Sequence, residues 1–119
     1  MASLSRDNGE TWSAALDTTL PNPGSSLEVT VLRDRRWLIV YNDSTQSRDS
    51  LTVALSTDEG KTWPLKRRLE PQGDGATSFS YPSVIQTADG AVHITYTCKG
   101  PRGGRIRHGI LQLNQLKSD

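Results

Sequence analysis

Short apolar segments separated by turn residues dominate this sequence, and no stretch keeps the 3.6-residue period of an amphipathic helix over three turns. Residues 37–41 form a continuous apolar run, which is typical of a strand buried on both faces. Residues 65–69 combine two leucines with three basic side chains, a composition that suits an outer edge strand. The first predicted four-stranded unit comprises residues 27–31, 37–41, 51–55 and 65–69. The pattern therefore predicts an all-β fold.

A second unit repeats this order of strands but ends after three of them. Its predicted strands are residues 81–86, 91–97 and 105–113, with an Asp89-Gly90 turn and a glycine-rich loop at residues 98–105 between them. Residues 13–18 are predicted to form one further outer strand, ahead of both units. The organisation is therefore a turn with an outer strand in residues 1–20, a complete unit in residues 21–70 and a three-stranded unit in residues 71–116.

Composition narrows the classes of function. The chain has 119 residues and 13.1 kDa, which suits a single domain with one core. Its formal net charge is +1, so we expect neither a nucleic-acid nor a membrane partner. No apolar run approaches the roughly 18 residues of a membrane span, and the N-terminus lacks a signal-peptide h-region, so we expect a cytoplasmic protein.

The cysteine and histidine content and the absence of known nucleotide-binding and nucleophile motifs argue against several kinds of site. Cys98 is the single cysteine, which excludes an intramolecular disulfide and a multi-cysteine zinc site. His93 and His108 have no metal-ligating partners at suitable spacing, so we expect no metal. The sequence contains no G-x-G-x-x-G dinucleotide-binding pattern, no Walker A pattern and no G-x-S-x-G nucleophile elbow of hydrolases, and we expect no cofactor.

One eight-residue motif occurs twice, 51 residues apart. Five positions match between the copies, and the period lies in the range of propeller blades. An aspartate that caps turn amides, a glycine that accepts positive φ and a following tryptophan together indicate a turn that stabilises the fold. The matching residues are Ser5, Asp7, Gly9, Thr11 and Trp12 in the first copy, and Ser56, Asp58, Gly60, Thr62 and Trp63 in the second.

This S-x-D-x-G-x-T-W motif resembles the Asp-box, or BNR repeat, of the sialidase superfamily of six-bladed β-propellers. Residues 80–97 resemble the final blade of such proteins, and residues 20–28 resemble the entry to the blade before it. The resemblance covers nearly the whole chain, and it implies β-propeller blades built from four-stranded antiparallel sheets. It corresponds to the C-terminal two blades of a propeller, since six blades of about 50 residues need roughly 300.

Propeller topology predicts which residues share a surface. The strands of a blade run up and down from the axis outward, so the start of the first strand lies at the same end as the loop between the second and third. We therefore expect Glu28, Tyr81, Arg48 and the loop at residues 98–105 at one rim. The two copies of the motif are expected at the opposite end.

The resemblance implies a chemistry for this rim, namely retaining glycoside hydrolysis in which a tyrosine assisted by a glutamate attacks the anomeric carbon. Tyr81 and Glu28 match that pair by motif position. A phenol has a pKa near ~10, so a carboxylate must accept or share its proton. Arginines suit a planar sugar carboxylate. The candidate substrate contacts are Arg48, Arg102 and Arg105, together with Asn42 and Asp43 where sialidases end this strand with arginine.

Two classes of function remain open for these residues. The arginine triad and the acid/base aspartate of family enzymes come largely from blades that precede the matched region. Tyr81 also fits a half-buried aromatic at a strand start, and Glu28 also fits a solvated polar position. The first hypothesis is a sialidase-related glycoside hydrolase. The alternative is a non-catalytic glycan-binding or structural propeller module.

The strand count predicts self-association. The last unit lacks a fourth strand, and a bare sheet edge favours pairing with another strand. Residues 13–18 could supply it, within one chain or between chains. With two blades' worth of strands in each chain, the expected homo-oligomer is a trimer that makes six blades.

Overall fold

The computed structural model describes residues 1–118, which form two antiparallel sheets and a single short 3-10 turn at Leu113–Gln115. The predicted all-β fold of propeller-type blades is confirmed. The first sheet has the order β1-β2-β3-β4-β8 and the second the order β5-β6-β7. The strands are β1 (Glu28–Val31), β2 (Trp37–Tyr41), β3 (Leu51–Ser56), β4 (Leu65–Glu70), β5 (Ser78–Gln86), β6 (Val92–Gly100), β7 (Gly103–Leu111) and β8 (Lys117–Ser118).

Packing between the two sheets forms the main hydrophobic core. Strands β2 and β3 contribute one face, and β5 and β6 contribute the facing side chains; the aromatic rings of Phe79 and Tyr96 meet edge to face with centroids 6.1 Å apart. Cys98 is buried in this core, as a small apolar residue would be. The other members are Leu32, Leu38, Val40, Leu51, Val53, Leu55, Val84, Val92, Ile94, Leu111 and Leu116.

A second, smaller cluster covers the opposite face of the first sheet. Ile39, Tyr41 and Ala54 are buried there, and Leu20 and Trp63 pack against them. This explains why the run Trp37–Tyr41 is apolar at consecutive positions, since β2 is covered on both sides. Strand β3 is buried at all six positions for the same reason.

The glycine-rich segment between β6 and β7 is a tight hairpin and not the longer loop that the sequence predicts. Gly100 pairs with Gly103, so only Pro101 and Arg102 lie between the strands. Gly103 has φ +111°, a conformation that glycine adopts without the strain of a side chain. Pairing therefore extends over residues 98–100 and 103–105, and Arg105 lies within β7 opposite Cys98.

The outer edges of the two sheets differ. Residues 117–118 leave the second sheet and pair with β4, which covers part of the edge of the first sheet. Residues 13–18, predicted as an outer strand, make only one ladder contact, the bridge between Leu16 and Ala2. Within residues 1–118, β7 pairs with β6 alone.

The two copies of the repeated motif fold into the same turn. In the second copy, Asp58 accepts hydrogen bonds from Ser56 Oγ (2.7 Å), from the Thr62 amide (2.8 Å) and from Thr62 Oγ1 (2.6 Å). Ser56 Oγ accepts in turn from the Gly60 amide at 2.8 Å. Asp7 makes the corresponding bonds with Ser5 and Thr11 in the first copy. The aspartate thus holds both ends of the turn.

These hydrogen bonds favour the charged carboxylate. Bonds from Thr62, first by its side chain and then by its backbone, and from Ser56 lower the pKa of Asp58 from 3.8 to about 2. Equivalent bonds, led by those from Thr11, lower the pKa of Asp7 to about 2. A carboxylate whose pKa is lowered on folding stabilises the fold above its unfolded pKa, and this stabilisation is lost as the pH falls towards the folded value.

We expect Asp58→Asn to destabilise the protein at pH 6 and to do so much less at pH 2.5. The asparagine keeps the size of the side chain but cannot carry the charge that the turn stabilises. Urea unfolding at both pH values measures the two differences in free energy. Glu59→Gln is the matched control, because the exposed neighbour has no side-chain hydrogen bond among residues 1–118. Equal destabilisation by Asp58→Asn at both pH values would contradict the role of the charge.

Candidate functional site

The structure brings the predicted site residues to one end of the two sheets, which we call the rim. Glu28 begins β1, Tyr81 lies near the start of β5, and Arg48 lies in the loop before β3. The other rim residues are Asn42 and Asp43, which follow β2, Arg102 in the β6–β7 turn, and Arg105 near the start of β7. The second copy of the repeated motif lies at the opposite end of the first sheet, since it follows the end of β3.

Tyr81 has an unusual backbone conformation. Its φ is +52°, in the left-handed region, and the pairing of β5 with β6 shifts register between Ser80 and Ser83. Such a φ is a rare and strained choice for an aromatic residue inside a strand. The Tyr81 amide donates to Ser26 Oγ at 3.2 Å, and the residue is 69% exposed. The irregularity therefore holds the phenol ring out at the rim.

Glu28 lies across the junction between the sheets from this irregularity. Its Oε1 accepts a hydrogen bond from the Val84 amide at 3.2 Å, three residues beyond Tyr81. Ser26, which binds the Tyr81 amide, is two residues before Glu28. Two hydrogen bonds thus join the start of β1 to the irregular part of β5. Glu28 Oε2 has no hydrogen-bond partner among the described residues.

Asn42 connects the loops beneath the rim. Its exposed fraction is zero, and its Nδ2 donates to the carbonyl oxygens of Ser50 (2.7 Å) and Phe79 (3.1 Å). Its Oδ1 accepts from Ser25 Oγ at 2.5 Å. These bonds join three segments that carry rim residues. In this conformation Asn42 positions its neighbours, and its predicted contact with substrate stays a prediction.

Asp43 and Arg48 are both engaged by protein groups. Asp43 Oδ2 lies 3.7 Å from Lys66 Nζ, and Lys66 lies over the ring of Tyr41 at 6.0 Å from its centroid. Arg48 Nη2 donates to the Gly24 carbonyl at 3.1 Å, while the Arg48 carbonyl accepts from the Phe79 amide at 2.7 Å. Arg48 is exposed, so its remaining guanidinium hydrogens face solvent.

An open groove of about 360 Å³ lies beside the β6–β7 hairpin. Arg102, Arg105 and Arg107 line it, with Thr77 and Cys98. Arg102 and Arg105 are exposed and have no ion-pair partner within residues 1–118. Two uncompensated guanidiniums beside backbone glycines make this groove suitable for an anion with planar oxygens.

Arg107 differs from the other two arginines because Glu70 neutralises it. Arg107 Nη1 forms an ion pair with Glu70 Oε1, and Tyr96 Oη donates to the same oxygen at 2.7 Å. Burial, with the hydrogen bond to Glu70, raises the pKa of Tyr96 to about 12. Tyr96 therefore stays protonated, and the network ties β4 to β6 and β7. Sequence reasoning missed these three residues, since they are far apart in the chain and share no motif.

His93 and His108 form a pair that the sequence spacing does not indicate. Thr95 is opposite His108 in the β6–β7 register, which places His93 diagonally across from it, and His93 Nδ1 lies 2.9 Å from His108 Nε2. No group of three or more His, Cys, Asp or Glu side chains within residues 1–118 is arranged to hold a metal ion. No helix in the same part of the chain has the length and apolar character needed to cross a membrane.

A family profile matches most of this chain. Among curated proteins, no sequence matches this chain. The profile of the BNR repeat-like domain matches residues 1–94, which include both copies of the repeated motif, strands β1 to β4 of the first sheet and the start of the second sheet. The match covers more than half of the chain and agrees with blades built from antiparallel sheets. The chain belongs to the BNR repeat-like family.

Proposed function

We propose that the rim binds an anionic glycan and hydrolyses its glycosidic bond with retention of configuration, with Tyr81 as the nucleophile and Glu28 as the base. The observation that carries this proposal is the strained backbone at Tyr81, which presents an exposed phenol beside the segment that contains Glu28. Membership of the BNR repeat-like family supports a sialidase-like chemistry.

The strain at Tyr81 supports a functional role because folding alone does not require it. A non-glycine residue in the left-handed region costs about 1–3 kcal/mol, and such residues cluster at functional sites. The Tyr81 side chain is largely exposed, so burial of its ring does not offset this cost. A glycine at position 81 would satisfy the backbone without strain.

The proposed reaction proceeds in two displacements. Tyr81 Oη attacks the anomeric carbon while its proton passes to Glu28, and the bond from this carbon to the aglycone oxygen breaks, this oxygen taking up a proton from water. Water then attacks the same carbon, and the bond from this carbon to Tyr81 Oη breaks, which releases the sugar. Glu28 returns its proton to the tyrosine oxygen, and the proton that the attacking water loses neutralises the hydroxide left by the first step. Glu28 Oε1 is held by the Val84 amide, and Oε2 is the oxygen that would accept the proton.

The anionic group of the substrate would bind in the arginine groove. Strand β6 lies between β5 and β7, so the backbones of β5 and β7 are roughly 10 Å apart at the usual spacing between strands. This distance is about the length of one or two sugar rings. Arg102 and Arg105 would donate paired hydrogen bonds to a carboxylate. Since Glu70 neutralises Arg107, the positive charge available to a ligand comes chiefly from the other two arginines.

A second candidate function is glycan binding without turnover. It is favoured by one observation: Arg48 and Arg107 already contact protein oxygens, so the described arginines do not converge on Tyr81. A binding module needs the anion groove and an exposed aromatic ring but no nucleophile. The two candidates therefore share the groove and differ at the Tyr81 hydroxyl.

Turnover of a fluorogenic sialoside distinguishes the candidates. We expect Tyr81→Phe to reduce turnover by at least about a hundredfold, because it removes the attacking oxygen, and to leave binding of the sugar within about twofold. Glu28→Gln should lower turnover and flatten its dependence on pH, because the amide can still accept from Val84 but cannot take a proton. If the wild-type protein binds the sialoside but does not hydrolyse it, the result supports the non-catalytic binding module.

The strain at position 81 is tested by comparing two substitutions that remove the same side chain. We expect Tyr81→Gly to be more stable than Tyr81→Ala by about 1 kcal/mol, since only glycine adopts positive φ without penalty. Urea unfolding measures the difference. At Ser83, whose φ is not positive, the order should reverse, with alanine more stable by about 0.5–1 kcal/mol. The same order at both positions would contradict the assignment of strain.

The groove is tested by titration with a sialylated oligosaccharide and its neutral counterpart. We expect Arg102→Ala and Arg105→Ala each to weaken binding of the acidic sugar roughly tenfold, the loss typical of one charge-assisted hydrogen bond. Binding of the neutral sugar should not change. Arg68→Ala on exposed β4 is the matched control, and an equal effect there would indicate nonspecific attraction.

A further inference from the structure

His93 and His108 lie next to each other on one face of the second sheet. Thr95 is opposite His108 in the register of β6 with β7, and His93 is two residues from Thr95 on the same face. His108 is exposed and His93 is half-buried, so both rings can be reached from solvent. The two imidazoles, which are 15 residues apart in the chain, therefore form one cross-strand pair.

The two imidazole rings meet edge to edge. Their centroids are 5.1 Å apart, their planes differ by 18°, and His93 Nδ1 lies 2.9 Å from His108 Nε2. The centroid distance exceeds the nitrogen distance by roughly the sum of the two centroid-to-nitrogen lengths of the rings, so both nitrogens lie close to the line between the centroids. The contact is therefore an N–H···N hydrogen bond between nearly coplanar rings, and not a stack of two ring faces.

The separation of these two nitrogens suits a shared metal ion. A bond from a metal to imidazole is about 2.0–2.1 Å long, so two nitrogens bound to one ion at a right angle lie about 2.9 Å apart. A tetrahedral ion would hold the same nitrogens about 3.3–3.4 Å apart. Right-angle sites of nitrogen and oxygen ligands are typical of Cu²⁺ and Ni²⁺, and Cu²⁺ binds most tightly among the divalent first-row metals. The pair therefore matches Cu²⁺ better than Zn²⁺.

Binding of an ion between the rings requires only local changes. Each ring has to turn about its outer torsion until both lone pairs point at the ion, and this torsion has a broad minimum in histidine. The hydrogen that lies between the rings moves to the other nitrogen of the ring that carries it, so both imidazoles stay neutral. His93 Nε2 and His108 Nδ1 have no hydrogen-bond partner within residues 1–118, so either nitrogen can take this hydrogen.

A carboxylate lies close to the pair. Asp89 is in the turn before β6, and hydrogen bonds from the Thr87 hydroxyl and the Ala91 amide lower the pKa of its carboxyl group, with a further contribution from charge on His93. The Asp89 carboxylate is thus near enough to interact electrostatically with the His93 ring. Negative charge at this distance favours a cation bound to the ring.

The cations around the second sheet do not oppose a bound ion on this face. Arg105 and Arg107 are opposite core residues in the register of β6 with β7, so they lie on the other face of the sheet. Lys99 shares the face of the pair but is six residues from His93, or about 20 Å along β6. Arg33, from the first sheet, reaches the turn before β6, where two backbone carbonyl oxygens hold its guanidinium at 2.9 and 3.0 Å.

We propose that His93 and His108 form a binding site for a divalent copper ion, which is held by His93 Nδ1 and His108 Nε2 with water in the remaining positions. Spacing along the chain predicts no metal here, because only the register between β6 and β7 brings the two rings together. The bound ion links β6 to β7, a strand with no other strand partner within residues 1–118. It thereby stabilises the hairpin that carries Arg102 and Arg105.

Titration of the wild-type chain with Cu²⁺, followed by calorimetry and by electron paramagnetic resonance, tests this site. We expect saturable binding with the hyperfine pattern of two coordinated nitrogens, a lower affinity for Ni²⁺ and Zn²⁺, and no binding of Mg²⁺, which prefers oxygen ligands. His93→Gln and His108→Gln should each weaken Cu²⁺ binding at least about tenfold, since changes to groups that merely orient a metal ligand already cost about 10–100-fold. Thr97→Val is the matched control, because it alters the same face without removing a ring nitrogen, and its affinity should stay within about twofold of wild type.

Three results would overturn the proposal. The first is a wild-type dissociation constant for Cu²⁺ weaker than about 1 mM. The second is equal affinity in the wild type and both histidine variants, which would place the ion at another donor such as the N-terminal amine. The third is a wild-type spectrum with fewer than two coordinated nitrogens, and this result decides the question even if a histidine variant proves to be unfolded in thermal scans without metal.

The link between the strands is tested by thermal unfolding with and without Cu²⁺. A ligand that binds only the folded chain raises the melting temperature, and at about a hundredfold excess over the dissociation constant we expect a rise of at least about 5 °C. The rise should fall by at least half in His93→Gln and His108→Gln at the same Cu²⁺ concentration, and EDTA should reverse it in the wild type. An equal rise in the wild type and in both variants would contradict the link. Neither measurement involves a glycan, so both outcomes are independent of the chemistry proposed for the rim.

Discussion

The contact between the two sheets is the interaction on which the rest of this structure depends. Each sheet is too small to bury two faces by itself, and the side chains of β2 and β3 find their cover on β5 and β6. The same contact fixes how the rim is assembled, because the rim residues come from both sheets. Polar groups complete it: Asn42 donates to the Phe79 carbonyl, and Glu28 accepts from the Val84 amide. Packing brings the sheets together, and these directional bonds set their relative position at the rim.

The side chains in and around the rim are of two kinds. Some are hydrogen-bonded within the protein and keep neighbouring segments in place, and others are exposed to solvent and available to a ligand. Asn42 and Glu70 are satisfied within the protein and keep neighbouring segments in place. Tyr81, Arg102 and Arg105 extend to solvent. This division matches what a ligand site needs, since groups that contact a ligand are best held by others whose own hydrogen bonds are already made. Arg107 belongs to the first group through its ion pair with Glu70.

Sequence patterns predicted the fold well because it depends on local features. The strands follow from apolar runs such as Trp37–Tyr41, and the repeated turn follows from residue types that cap amides within eight positions. The placement of Glu28 and Tyr81 at one end followed from strand order alone. The pair of His93 with His108 and the network around Glu70 depend on register between strands, which spacing along one chain does not specify. The irregular backbone at Tyr81 had no local signal either, since neither glycine nor asparagine occupies the position.

The path of the last residues has a consequence for how the protein unfolds. Leu116 is buried in the core between the sheets, and Lys117 and Ser118 then pair with β4 at the far edge of the first sheet. The segment that follows the second sheet therefore also stabilises the edge of the first sheet. Neither sheet can open fully unless this segment is released. Regions linked in this way exchange their amide hydrogens as one cooperative unit, and not as two blades that open separately.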